Sequence, residues 1–237
     1  MRAIIFCAGL GTRFKPWTDK HPKALAIING KSLLERNVKY LQQFGITDIT
    51  VNVHHFADQI ENAIKNARGW GSEISISDER NEVLETGGGL LKAAPLLGDE
   101  DFVALNVDIL TDLDLAAMIN AHKTHAALAT LAVSKRKTSR YFLFDENDFL
   151  SGWRNTATGE EKISRHQTSF VEKAFSGLHI ISPRLFRMIS QRGKFSIVDV
   201  YLELSVSNPI IGFDHTGSKL IDVGKPEAVQ TAETMFG

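Results

Sequence analysis

Residues 3–14 read AIIFCAGLGTRF, a four-residue apolar run followed at once by a turn that holds Gly9 and Gly11. A burst that short, closed by glycines, reads as a buried strand feeding a tight connection into a helix. Three outlines share that form: the phosphate turn of a dinucleotide fold, a triphosphate-binding loop of another kind, and a plain connection. The dinucleotide fingerprint G-x-G-x-x-G takes its first two glycines from Gly9 and Gly11. Its third place is Phe14, and Arg13 stands where a neutral close approach is needed. A Walker A string occurs nowhere in the chain. What fits is a loop whose backbone N–H groups converge on phosphate oxygens, with Arg13 adding a bidentate cation and Lys23, after Pro22, an ammonium. Taken singly, each of these residues is equally a turn or a solvated surface position; their grouping behind one strand favours phosphate.

Outward from that loop, apolar bursts alternate with helical patterns: SLLERNVKYLQQFG (32–45), DITVNV (48–53), HFADQIENAIKNA (55–67) and EISIS (73–77). The rhythm continues through TGGGLLKAAPLL (86–97), DFVALNV (101–107), LDLAAMINAHKTH (113–125) and AALATLAVS (126–134). Strand and helix in alternation predict an α/β fold, a mostly parallel sheet covered by helices on both faces. Ser32 with Glu35 three residues on reads as a capping box, and Gly45 as that helix's end. Beyond about residue 135 the character changes. RYFLFDENDFLSGW (140–153) predicts a β-hairpin turning around Asp145, Asn147 and Asp148, and the polar RNTATGEEKISRH (154–166) a mobile loop. The expectation is a single domain over 1–237, with a small β-rich insertion in its second part, from 136 to 237.

Composition narrows the function classes. The 237 residues are 43% hydrophobic and 23% charged with a formal net charge of −1, so the chain lacks the basic field that holds nucleic acid or an anionic membrane. Neither partner is expected, and oligomeric state is not readable. The one cysteine, Cys7, excludes an intrachain disulfide framework and a cysteine-cluster zinc site, which suits a reducing compartment; cytoplasm is the expected location. Arg2 ahead of apolar residues has the outline of a secretory leader, but the run is too short for one. No segment approaches the ~18 apolar residues of a membrane span.

In a doubly wound sheet, ligands bind beyond the C-terminal strand ends, where the strand order switches. Asp108, after FVALNV, and Asp222, after KLI, end apolar runs there, and a carboxylate at such an edge is placed to hold Mg²⁺. A helix cap is the plainer role for any single Asp, and Asp112 is expected to be one.

With CAGLGTRFKPWT, HPKAL, ETGGG, NVD, VEK and DVG in this order, the chain resembles the sugar-phosphate nucleotidylyltransferases over its whole length. Ala8, Gly9, Gly11, Thr12, Arg13, Pro16, Thr18, Pro22 and Lys23 carry the family's opening signature. The resemblance implies a three-layer αβα, Rossmann-like (GT-A-like) nucleotidyltransferase fold, its nucleotide part over about 1–135 and its sugar part over the rest. It implies an enzyme that joins a nucleoside triphosphate to a sugar-1-phosphate, giving NDP-sugar and pyrophosphate with Mg²⁺. LETGGG, FSG and DVG look most like the N-acetylmuramate-1-phosphate uridylyltransferases of cell-wall recycling, with UTP as donor, and also like small mannose-1-phosphate guanylyltransferases.

Carried over by position, Ala8, Gly9, Gly11, Thr12, Arg13, Glu85, Thr86, Gly87 and Gly88 would bind the nucleotide. Asn106, Glu172, Lys173 and Gly177 would bind the sugar phosphate. Arg13, Lys23 and Lys173 would be catalytic, and Asp108 and Asp222 would hold the metal. The amides of the ETGGG turn would read a base or ribose edge, with Glu82 and Glu85 as open candidates for the base. Three departures bear on specificity: Val107 where many relatives have Gly, Lys225 where D-V-G-T is frequent, and RNEVLE in place of the Q-x-E-P-L-G base-reading stretch. A noncatalytic sugar-nucleotide-binding regulatory protein and a cytidylyltransferase for phosphocholine remain as other readings of the same pattern.

Overall fold

The computed structural model describes residues 1–237. In chain order its strands are β1 (Ala3–Phe6), β2 (Ile27–Ile28), β3 (Lys31–Ser32), β4 (Asp48–Val53), β5 (Glu73–Asp78), β6 (Phe102–Asn106) and β7 (Ile109–Thr111). They continue as β8 (Ala129–Ser134), β9 (Arg140–Phe144), β10 (Leu150–Asn155), β11 (Glu160–Ile163), β12 (Val171–Ile181), β13 (Ile210–Asp214) and β14 (Leu220–Asp222). The helices are α1 (Leu33–Gln43), α2 (Ala57–Asn66), α3 (Glu85–Leu97), α4 (Leu115–Thr124), α5 (Ile197–Ser205) and α6 (Ala228–Met235).

One ten-stranded sheet runs β11-β10-β9-β12-β6-β1-β4-β5, with β8 beside β12 and β13 beside β8. Its core β6-β1-β4-β5 is parallel throughout. The eleven-residue β12 joins that core to the rest, pairing antiparallel with β6, β8 and β9. Period-2 alternation divides the apolar residues between two cores. Ala3 and Ile5 of β1 face the layer of α1 and α2, while Ile4 and Phe6 face the layer of α3 and α5. The α/β architecture with a mostly parallel core between helical layers is the one the sequence rhythm predicts.

Ser32 caps α1, its hydroxyl accepting the Glu35 N–H at 3.0 Å, and Gly45 follows with a φ of +73°. The hairpin forms as β9 and β10 around Asp145, which accepts the N–H of Asn147 and of Phe149. Two expectations are corrected. The segment 154–166 is not a mobile loop: Glu160–Ile163 forms β11 on the outer edge of β10. Its exposed charges reflect an edge strand's need to stay solvated rather than an absence of structure. Asp112 does not cap α4; Asp114 does, accepting the Ala117 N–H at 3.0 Å, while Asp112 accepts the Lys219 N–H at 2.7 Å.

Candidate active site

β1 sits between β4 and β6, so the connections that leave these strands diverge at β1 and open a crevice over their C-terminal ends. The crevice is lined by Cys7, Ala8 and Gly9 from the first loop, Lys23, Asn52 of β4, Glu79 beyond β5, Glu85 and Thr86, Asn106 at the end of β6, and Val107 and Asp108 beyond it. Most come from a strand end or the loop that follows it; Lys23 lies in a 3-10 turn and Glu85 and Thr86 open α3.

The first loop is shaped by its glycines in two ways. Gly11 has a φ of +60°, and a Cβ there would lie 2.8 Å from Thr18 Cγ2; the Thr18 hydroxyl in turn donates to the Gly11 carbonyl at 2.9 Å. Gly9 has nothing within 4 Å of where its Cβ would be, so a bare backbone faces the crevice. Thr12 and Arg13 follow in an exposed 3-10 turn, Thr12–Phe14.

Four charged side chains converge beside this loop. The Lys23 ammonium donates to Asp108 Oδ2 in a half-buried ion pair. A Cβ on Gly224 would lie 2.8 Å from Asp222 Oδ1 and 3.0 Å from Arg13 Nη2, which places that carboxylate and that guanidinium over the same bare glycine. Loss of hydration and the negative charge of Asp108 push the Asp222 carboxyl above its usual range, opposed by Lys23 and Arg13. The two strand-end carboxylates therefore share one electrostatic neighbourhood, bridged by the Val223 N–H donating to the Asp108 carbonyl at 2.8 Å. The protein has no group of three or more His, Cys, Asp or Glu able to hold a metal. Two carboxylates fit Mg²⁺, which takes its remaining ligands from phosphate oxygens and water.

The remaining expected residues fall into two sets. Asn106 meets Gly177 across the β6–β12 junction: a Cβ on Gly177, whose φ is +72°, would lie 2.9 Å from Asn106 Nδ2. Glu172 and Lys173 point to opposite sides of β12, as alternation demands. Exposed Glu172 pairs with Arg154, and buried Lys173 lies 2.7 Å from Asp148 and 3.3 Å from Asp214. Neither lines the crevice around the first loop. Burial alone would lower the Lys173 ammonium, but Asp148 and Asp214 outweigh it and hold it above its ordinary value.

At the ETGGG turn, the amides of Gly87 and Gly88 both donate to the Phe195 carbonyl, at 2.9 and 3.3 Å, and Thr86 Oγ1 accepts the Ile197 N–H at 3.2 Å. These amides hold α3 to the start of α5 and are not free to read a base. Glu85 lines the crevice and lies 3.6 Å from Lys194. Val107 lines the crevice, and Lys225 is exposed to solvent.

Asn52 and Glu79 line the crevice and escaped the sequence reading, because an Asn inside DITVNV and a Glu in SDERNE carry no motif. Burial pushes the Glu79 carboxyl upward, opposed by hydrogen bonds from Asn52 and from the Leu84 amide.

The family model for nucleotidyl transferases matches residues 2–234. The chain belongs to that family. The transferase is 30% identical over 237 residues to the N-acetylmuramate alpha-1-phosphate uridylyltransferase of Neisseria meningitidis serogroup B, covering all of this chain and 99% of that relative. It is 30% identical to the protein of the same description from Caulobacter vibrioides, over 98% of this chain and 95% of the relative. Against mannose-1-phosphate guanyltransferase beta-A of Xenopus laevis the identity is 28%, over all of this chain but 64% of the relative. Among solved structures, HddC from Yersinia pseudotuberculosis complexed with GMP-PN superposes with a TM-score of 0.79 at 22% identity, covering 100% of the transferase and 99% of that chain. The transferase thus has the nucleotidyltransferase fold.

Proposed function

We propose that this transferase moves a uridylyl group from UTP to N-acetylmuramate-1-phosphate or a related hexose-1-phosphate, releasing pyrophosphate and an NDP-sugar. The observation that carries the reading is the convergence of Arg13, Lys23, Asp108 and Asp222 beside the open backbone of Gly9 at the topological switch point. An oxygen of the sugar phosphate attacks the α-phosphorus; the bond from that phosphorus to the bridging oxygen of the β-phosphate breaks, and pyrophosphate leaves with the electron pair. The attacking phosphate is already anionic at neutral pH, so the site needs no general base. Two like charges 4 Å apart near a protein surface repel by about 4 kcal/mol, so neutralisation and alignment are the chemistry the residues supply.

Arg13, exposed beside the loop, meets the leaving phosphates. Lys23 holds the α-phosphoryl oxygens, with Asp108 fixing its position until substrate arrives. Asp108 and Asp222 hold Mg²⁺, which when bound offsets charge on the triphosphate. Asn106 and Gly177 seat the sugar phosphate, and Lys173 pairs with it by exchanging Asp148 for the incoming anion. Glu172 and its partner Arg154 lie at the sugar end, and a cytoplasmic location follows from the substrates. UTP and the muramate acceptor are favoured because the two relatives at 30% identity are both N-acetylmuramate alpha-1-phosphate uridylyltransferases, against 28% for the guanyltransferase. Crossing the four common nucleoside triphosphates with a panel of sugar-1-phosphates, and following pyrophosphate, tests the assignment. The highest kcat/KM is expected for UTP with N-acetylmuramate-1-phosphate. A higher value for GTP with mannose-1-phosphate would replace it with the guanylyltransferase reading.

A further inference from the structure

Asn52 occupies the C-terminal end of a buried parallel strand, in register with Phe6 of β1, and its side chain is 2% exposed. A carboxamide there costs about 1–3 kcal/mol unless its polar atoms are bonded. Its Oδ1 accepts the N–H groups of Cys7 and Ala8 at 2.6 and 3.3 Å, across 45 residues of sequence, and its Nδ2 donates to Glu79 Oε1 at 2.7 Å. Glu79, 1% exposed, accepts the Leu84 N–H on its other oxygen at 3.3 Å, so both oxygens act as acceptors, the pattern of an ionised carboxylate. Gly89 leaves room for this: a Cβ there would lie 2.6 Å from Glu79 Oε1 and 3.0 Å from Asn52 Nδ2.

We propose that Asn52 and Glu79 are positioning residues for the nucleoside triphosphate, forming a relay that locks the phosphate loop, entered at Cys7, to the Glu79–Thr86 loop on the opposite wall of the crevice. The inference rests on the functional reading above. Because Cys7 and Ala8 give their amides to Asn52, the first amides left for phosphate are those from Gly9 onward, and Asn52 sets the direction in which that backbone leaves β1. Leu84 immediately precedes Glu85 and Thr86, so the same relay sets the second wall. Neither residue touches the reacting atoms, and the sugar-phosphate end near Asn106 and Gly177 lies outside the relay.

The polarity of the relay supplies its own test. Asn52→Asp sets two carboxylates face to face, while Glu79→Gln removes an acceptor. Combined, they reverse the donor and acceptor: the carboxylate now at position 52 still accepts both amides, and the carboxamide now at position 79 donates to it while its oxygen accepts from Leu84. Steady-state kinetics with UTP and N-acetylmuramate-1-phosphate are expected to show KM for UTP raised at least about tenfold in each single variant, with KM for the sugar phosphate within about twofold, and recovery in the double variant to within about threefold of the parent. Melting curves accompany each measurement, and if Asn52→Asp does not fold, Glu79→Gln and the double variant decide. A folded single variant with parent-like KM for UTP, or a double variant no better than the singles, would overturn the relay. Inactivity of the parent on this substrate pair counts against the functional reading instead. Amide exchange at Cys7, Ala8 and Leu84, protected in the parent and the double variant but accelerated in Asn52→Asp, then judges the relay alone.

Discussion

Asp108 has a single direct side-chain partner, Lys23, and Asp222 adds its own charge to the same neighbourhood. On the proposed function, Asp108→Asn removes one oxygen that would hold the metal and frees Lys23 from its ion pair, while the partly exposed position tolerates the amide. Turnover is expected to fall at least about a hundredfold, close to 3 kcal/mol of barrier, with circular dichroism unchanged; near-parental turnover in a folded variant would remove Asp108 from the site. Arg13, Lys23, Asp108 and Asp222 are legible in the sequence as candidates because Arg13 closes the Gly9–Gly11 turn, Lys23 follows Pro22, and the two aspartates mark the ends of apolar runs. Asn52 and Glu79 are not, since their meaning lies in hydrogen bonds to residues 45 and 27 positions away.

At the scale of elements, the glycine run of α3 has a different cause from that of the first loop. A Cβ on Gly87 would lie 2.4 Å from the Phe195 ring, and one on Gly88 would lie 2.1 Å from the Gly193 carbonyl oxygen. Substituting Ala at 88 gains at most about 1 kcal/mol of helix propensity, and the overpacking costs typically about 1–3 kcal/mol, more against rigid backbone. Gly88→Ala is therefore expected to lower Tm by several degrees, whereas Gly9→Ala, with open space around it, leaves Tm within about a degree; equal melting of the two would contradict the packing account. Periodicity located α1 to α4 and the strands β1, β4, β5, β6 and β8, since each buries a regular face; it did not mark out α5 or β13. It missed β11, whose Glu160, Glu161 and Lys162 are exposed and leave no buried face to read; backbone pairing with β10 and the Arg154–Glu161 and Lys162–Asp199 ion pairs hold it. It also put the α4 cap on Asp112 rather than Asp114, two candidates in one short stretch that only the backbone geometry separates.

For the whole molecule, the placing of β1 between β4 and β6 gathers loops that are distant in sequence over one crevice, and β12 ties the β9–β11 extension to the same sheet. Strand and helix alternation along the chain predicted a mostly parallel sheet; it could not show that Lys173 is committed to Asp148 and Asp214, because that contact joins a hairpin turn, the end of β13 and β12. On the proposed function, this crevice cuts a triphosphate between its α and β phosphorus atoms and joins the α-phosphoryl to a sugar phosphate. Turnover of UTP carrying radiolabel at either the α or the γ phosphate, with N-acetylmuramate-1-phosphate and Mg²⁺, tests it most directly. α label is expected in the UDP-sugar and γ label in pyrophosphate, in equal amounts and only when acceptor is present; γ label released as inorganic phosphate, or α label that never enters a sugar nucleotide, would rule this reaction out.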